Sequence, residues 1–160
     1  MEIHPDDILT FKEVTDAMRT VARNYGLPLR SITGLRMPRK GMADRLGDCA
    51  FSGDIRLVLR CTEDGKWCDE PISPDVVWDT AAHELAHLRH MNHGAAFQDF
   101  CEELQVAMNN LKVDHKQKVL DKLVKLQKAR QGEAELARGR LDFRSEHQIV
   151  DNGENHERSQ

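Results

Sequence analysis

Asp79-Thr-Ala-Ala-His83-Glu84-Leu-Ala-His87-Leu-Arg-His90-Met-Asn-His93-Gly94 is the stretch from which the fold of this chain is read. It carries the pattern H-E-x-x-H, and a further histidine six residues after the second. In a helix His83 and His87 stand one turn apart, so both imidazoles leave the same face. Two nitrogens placed in this way reach one Zn²⁺ at about 2.0–2.1 Å. Glu84 stands beside them, where a carboxylate can take a proton from a metal-activated water. A catalytic zinc takes three protein ligands and keeps one position open, so the third ligand decides the reading.

Two histidines compete for that place. On a straight helix His90 shares the ligand face, but it lies about 10 Å along the axis from His83, too far for one tetrahedral ion. His93 becomes available if the chain turns back after Met91. Asn92 is then expected in a left-handed conformation, with Gly94 relaxing the next position. The expected set is one zinc per chain on His83, His87 and His93, with Glu84 as catalytic base. Glu102 and Glu103, on the following helix, are the competing source of a third ligand.

The segment His83-Glu-Leu-Ala-His-Leu-Arg-His-Met-Asn-His-Gly-Ala-Ala-Phe97 resembles the metal-binding core of the SprT/Spartan and YgjP-like zinc metallopeptidases. In those families a third histidine follows within a short turn, then a small residue and an aromatic, matched here by Gly94 and Phe97. A second block, Arg45-Leu-Gly-Asp-Cys-Ala-Phe-Ser-Gly-Asp-Ile-Arg-Leu-Val-Leu-Arg60, is similar to the segment upstream of the motif in the YgjP branch. The resemblance spans roughly residues 30–104. It implies His83, His87 and His93 as ligands and Glu84 as general base, acting on a protein or peptide substrate. SprT/Spartan members act on proteins attached to DNA, and YgjP-like proteins have been linked to nucleotide hydrolysis. Two features depart from the pattern: Phe97 is followed by Gln98 rather than a second aromatic, and no C-x-x-C provides a zinc ribbon. Metzincins share the histidine spacing, but His90 stands where they carry glycine.

The 160 residues suffice for one domain with a core plus an extension. The hydrophobic share of 39 % is low, so part of the chain is expected to remain solvated. No apolar run approaches the ~20 residues of a membrane span. The acidic start Met1-Glu-Ile-His-Pro-Asp-Asp7 lacks the features of a signal peptide. A cytoplasmic protein with reduced cysteines (Cys49, Cys61, Cys68, Cys101) is therefore expected, with no membrane partner.

Toward the N-terminus, Pro5 to Tyr25 reads as an amphipathic helix: Ile8, Phe11, Val14, Met18, Val21 and Tyr25 recur at helical spacing, and Gly26 with Pro28 ends the run. Ser31 to Met37 reads as a strand. Ile55, Leu57 and Leu59 alternate with Arg56, Val58 and Arg60, the pattern of a half-buried strand with two exposed arginines. As the strand beside the metal helix it is a candidate for main-chain pairing with an extended substrate. Asp64-Gly65 marks a two-residue hairpin that sets Cys61 opposite Cys68, expected as two free thiols. Ser73-Pro74-Asp75 starts the metal helix, with Ser as N-cap and Pro at the first helical position. Val77, Ala81, Leu85 and Leu88 form its core face. A support helix follows, its stripe made of Phe97, Phe100, Cys101, Leu104, Met108 and Leu111.

From Lys112 to Arg144 there are ten Lys and Arg against five Asp and Glu. Val119, Leu120, Leu123, Val124 and Leu126 cover one side of a helix, and Lys118, Lys122, Lys125 and Lys128 the other. These four lysines are candidates for sequence-independent contact with DNA phosphates. The expected architecture is α+β and zincin-like: a peptidase domain over residues 1–111, a basic helical extension over 112–143 and a disordered polar tail over 144–160. The expected function is zinc-dependent peptide hydrolysis, extending to DNA-associated proteins. The alternatives are a nucleotide pyrophosphatase and a non-catalytic, zinc-stabilised nucleic-acid-binding module. No glycine-rich phosphate loop supports the former, and a structural site has no use for Glu84.

Overall fold

The computed structural model describes residues 3–40 and 45–148. The chain divides into two compact units, Met1–Asp114 and His115–Gln160. In the first, a short 3-10 turn at Pro5–Asp7 leads into helix α1, Ile8–Tyr25. Gly26 closes α1 at φ 62°, where a side chain is strained, and Leu27 N–H donates back to Ala22 O at 2.8 Å. Strand β1 (Ser31–Gly34) pairs in parallel with β4 (Asp54–Leu57), and β3 (Gly47–Cys49) runs antiparallel to β4 on its other side. A second sheet joins β2 (Met37–Pro38), β5 (Cys61–Glu63) and β6 (Lys66–Trp67) in the order β2-β5-β6. Helix α2 covers Pro74–His87, and α3 covers Ala95–Gln148.

A single core holds the first unit together. Val14, Met18 and Val21 of α1 meet Ile55 and Leu57 of β4, Ala81 and Leu85 of α2, and Phe97, Phe100, Leu104 and Met108 of α3. Burial at every third or fourth residue fixes which face each helix turns inward. Asp64 at φ 49° and Gly65 at φ 76° form the expected hairpin turn between β5 and β6, with Glu63 opposite Lys66.

Several expectations are corrected. The strand expected over Ser31–Met37 is two strands in different sheets, separated by Leu35 and Arg36. The strand expected through Arg60 ends at Leu57, because the chain there leaves one sheet for the other. Alternation fails at that crossing: Val58, Leu59, Arg60 and Cys61 are all buried. Arg60 is thus not exposed. Its guanidinium makes paired bonds of 2.9 Å to both carboxylate oxygens of Asp7 and also donates to the carbonyls of Cys68 and Asp69. Nor is β4 free to pair with a substrate, since β1 and β3 occupy both its edges. Ser73 occupies the N-cap position of α2, but its side chain makes no capping bond.

In the second unit the helix continues to Gln148. Lys118, Lys122, Lys125 and Lys128 are exposed on it, and so are Val119, Leu120, Leu123, Val124 and Leu126. Of the tail expected over 144–160, residues 149–160 lie outside the described residues. No helix among the described residues is long and apolar enough to cross a membrane.

Candidate metal centre

Helix α2 positions two of the histidines and the turn after it positions the third. The helix ends at His87, and the chain tightens: Leu88 N–H donates to Leu85 O and His90 N–H to Ala86 O. The reversal therefore begins four residues earlier than Met91. It uses no left-handed residue, since Asp64 is the only non-glycine with positive φ among the described residues. Helix α3 then starts against the carbonyl of Gly94, which accepts from Phe97 and Gln98.

This turn brings His83, His87 and His93 together. Their nitrogens lie within 4.8 Å of one another, the one such cluster of three or more His, Cys, Asp or Glu groups among the described residues. His83 Nε2 is 3.1 Å from His87 Nε2 and 3.1 Å from His93 Nε2. Two nitrogens on one tetrahedral zinc stand about 3.3 Å apart, from bond lengths of about 2.05 Å. The three imidazoles thus fit the ion that their chemistry suggests. Burial lowers the pKa of both His83 and His87, which keeps the rings neutral and able to bind a metal.

The supporting contacts explain the arrangement. His87 Nδ1 lies 3.1 Å from the carbonyl of His90, so its Nδ1–H can donate there while Nε2 turns to the cluster. His90 thus acts through its backbone, and its ring sits edge-on to Phe100. Phe97, buried, places its ring 4.6–4.9 Å from all three imidazoles and forms the floor of the centre. Glu102 and Glu103 are exposed and do not join the cluster. Arg89 is also drawn elsewhere, donating to Tyr25 O at 2.8 Å and lying over Phe100.

Glu84 is buried against the edge strand β3. A Cβ at Gly47 would stand 2.9 Å from Glu84 Cγ and 2.9 Å from Thr80 Cγ2, so only glycine admits this approach. Burial, and after it the Asp48 carboxylate, push the Glu84 carboxyl up to about 7. Asp48 itself is held by Arg56 across the strand pair at 2.6 and 2.8 Å. Gly47 and Asp48 fall within the Arg45–Arg60 block, in its Arg-x-Gly-x-Cys pattern, but their contact with Glu84 is revealed only by the packing of β3 beside α2.

The ligand assignment has a direct test. His93→Ala is expected to weaken zinc binding by more than the ~10–100-fold cost of losing an outer partner. His90→Ala keeps its carbonyl and should retain the metal. Metal analysis of both variants decides, and zinc lost only from the His90 variant would overturn the assignment.

An α+β domain with three converging histidines and a buried glutamate between two of them in sequence is of zinc-metalloprotease type. The chain belongs to the WLM domain family, whose model matches residues 50–160. This family, and not SprT/Spartan or YgjP, is the one the match establishes. No curated protein matches the chain. Among solved structures it is similar to a Glu-to-Gln mutant of Wss1 from S. pombe, at 19 % identity and a TM-score of 0.49, over 65 % of this chain and 87 % of that one.

Proposed function

We propose that this protein is a zinc-dependent peptidase in which His83, His87 and His93 hold one ion and Glu84 is the general base. The observation that carries this reading is the convergence of His87 Nε2 and His93 Nε2, each 3.1 Å from His83 Nε2, next to a buried carboxylate. Bound there, zinc supplies Lewis-acid polarisation of a carbonyl and of the attacking water. Glu84 takes the water's proton and delivers it to the leaving amine. Its burial excludes bulk solvent from that transfer. Phe97 and the His90 carbonyl keep the imidazoles oriented.

The substrate segment aligns along β3, which pairs only with β4 among the described residues and lies against α2. An added strand reads backbone groups, so cleavage should tolerate varied side chains. Incubation of the zinc-loaded protein with casein, a DNA-bound protein and UTP in turn tests the activity. Peptide products from either protein support the reading, and turnover of UTP alone refutes it.

We propose in addition that the substrate class extends to DNA-associated proteins, a reading that rests on the four exposed lysines of the second unit. Lys118, Lys122, Lys125 and Lys128 then follow phosphates without reading bases. Binding should be independent of sequence, with log K falling by about 0.9 per released counterion against log salt on duplex DNA. Changing all four lysines to Gln should weaken binding and flatten that slope, while leaving hydrolysis of a free peptide unchanged. An intact protein that binds neither duplex nor single strand at low salt refutes the DNA reading.

A further inference from the structure

Outside the metal centre, the hairpin β5–β6 places two thiols together. Its register sets Thr62 opposite Trp67 and Glu63 opposite Lys66, so the next pair outward is Cys61 and Cys68. Cys68 N–H donates to Cys61 O at 3.0 Å, which makes them a hydrogen-bonded pair. Such a pair holds its Cα atoms about 5.5 Å apart, inside the roughly 4.4–6.8 Å that a disulfide spans. Both side chains leave the same face, and Cys61 Sγ lies 2.8 Å from Cys68 Sγ.

Access to the pair is one-sided. Cys61 is buried, while Cys68 is half-buried. Both line an open groove of about 810 Å³ whose walls include Arg39, Trp67 and Ile72. An incoming molecule therefore meets Cys68 first and finds Cys61 directly behind it. Cys49 and Cys101 lie on β3 and α3, away from this pair in the fold. Burial first, then neighbouring carboxylates, raise the pKa of both, and the hydrogen bond with Cys61 raises that of Cys68, so the pair is set apart by its adjacent thiols rather than by acidity.

We propose that Cys61 and Cys68 are a redox-active dithiol that closes to an intramolecular disulfide by exchange with a small disulfide of the glutathione class. Cys68 releases its proton to solvent, and its thiolate attacks one sulfur of the oxidant. That S–S bond breaks, and the first glutathione leaves as a thiolate that takes up a proton. Cys61 then releases its proton and attacks Cys68 Sγ, expelling the second glutathione. Two protein thiols are oxidised and one small disulfide is reduced to two thiols.

Closure acts on the anchor of the metal helix. Cys68 and Asp69 accept from Arg60, which Asp7 holds, and Ile72 N–H donates to Leu59 O at 2.8 Å, just ahead of α2. The disulfide covalently ties Cys61, next to Arg60, to the segment that leads into α2.

The full-length protein is equilibrated in glutathione buffers of rising oxidised fraction, then alkylated and analysed by mass and peptide mapping. The expected result is four alkylated cysteines at the reducing end. At the oxidising end two are expected, Cys49 and Cys101, with a Cys61–Cys68 crosslink. The oxidised protein should also unfold at a higher temperature than the reduced one. Cys61→Ser and Cys68→Ser should each abolish both changes, the second keeping the test open if the buried site does not accept serine. Four free thiols throughout, a persistent glutathione adduct on Cys68 without closure, or a crosslink between two chains each overturn the proposal.

Discussion

Glu84→Gln should leave the protein folded and loaded with zinc while peptide hydrolysis falls by about 10²–10⁴-fold or more, the usual contribution of general-base assistance. The amide keeps the size of the carboxylate and so fits the space against Gly47, but it cannot accept the proton. Zinc content and turnover measured on the same preparation separate the two roles. Full activity in a zinc-loaded glutamine variant rules out the mechanism. The metal-free protein offers a second readout. Its Glu84 carboxyl is pushed up to about 7, against an ordinary value of 4.5. Between those values the folded chain keeps a proton that the unfolded chain has released, so Glu84 lowers stability as pH rises through the window. The glutamine variant should lack that component, and its stability should decline less from pH 4.5 to 7 than that of the parent.

The second large effect lies outside the metal-binding segment. Asp7 and Arg60 are both buried and joined by two bonds of 2.9 Å, and Arg60 also satisfies two backbone carbonyls. Removing either partner leaves a buried charge without its counterpart, which costs about 3–5 kcal/mol. Arg60→Ala and Asp7→Ala should each lose about that much in urea unfolding, a large part of the stability of an ordinary domain. Arg56→Ala is the control. It breaks a pair with Asp48 that is exposed, and such pairs are worth about 0–1 kcal/mol. Equal losses at Arg56 and Arg60 contradict this account.

What the sequence revealed, and what it hid, follows from the range of each signal. The helix of Ile8–Tyr25, its stop at Gly26, the Asp64-Gly65 turn and the core face of α2 depend on local spacing and local φ preferences. They could therefore be read residue by residue. The gathering of His93 with His83 and His87 was legible from the ~1.5 Å rise per residue, which disqualified His90. The device that turns the chain was not, because a tightened last turn at Leu88–His90 leaves no glycine or asparagine signature. The burial of Arg60 was hidden for a different reason. Period-two alternation assumes that one sheet continues, and the chain changes sheets after Leu57. Its partner is more than fifty residues away, and nothing in the spacing of charges points to Asp7.

Gly47 gives the edge strand a sensitivity that its secondary structure does not advertise. On an exposed strand edge, most substitutions would be absorbed by solvent. Here the first carbon of any side chain meets Glu84 Cγ and Thr80 Cγ2 at 2.9 Å, so one of the three groups has to retreat. If the strand retreats, the edge proposed to take an extended peptide moves. If Glu84 retreats, the proposed proton acceptor moves. A mutational scan scored by peptide cleavage is therefore expected to group position 47 with Glu84. A scan scored by folding alone would treat it as one more tight contact.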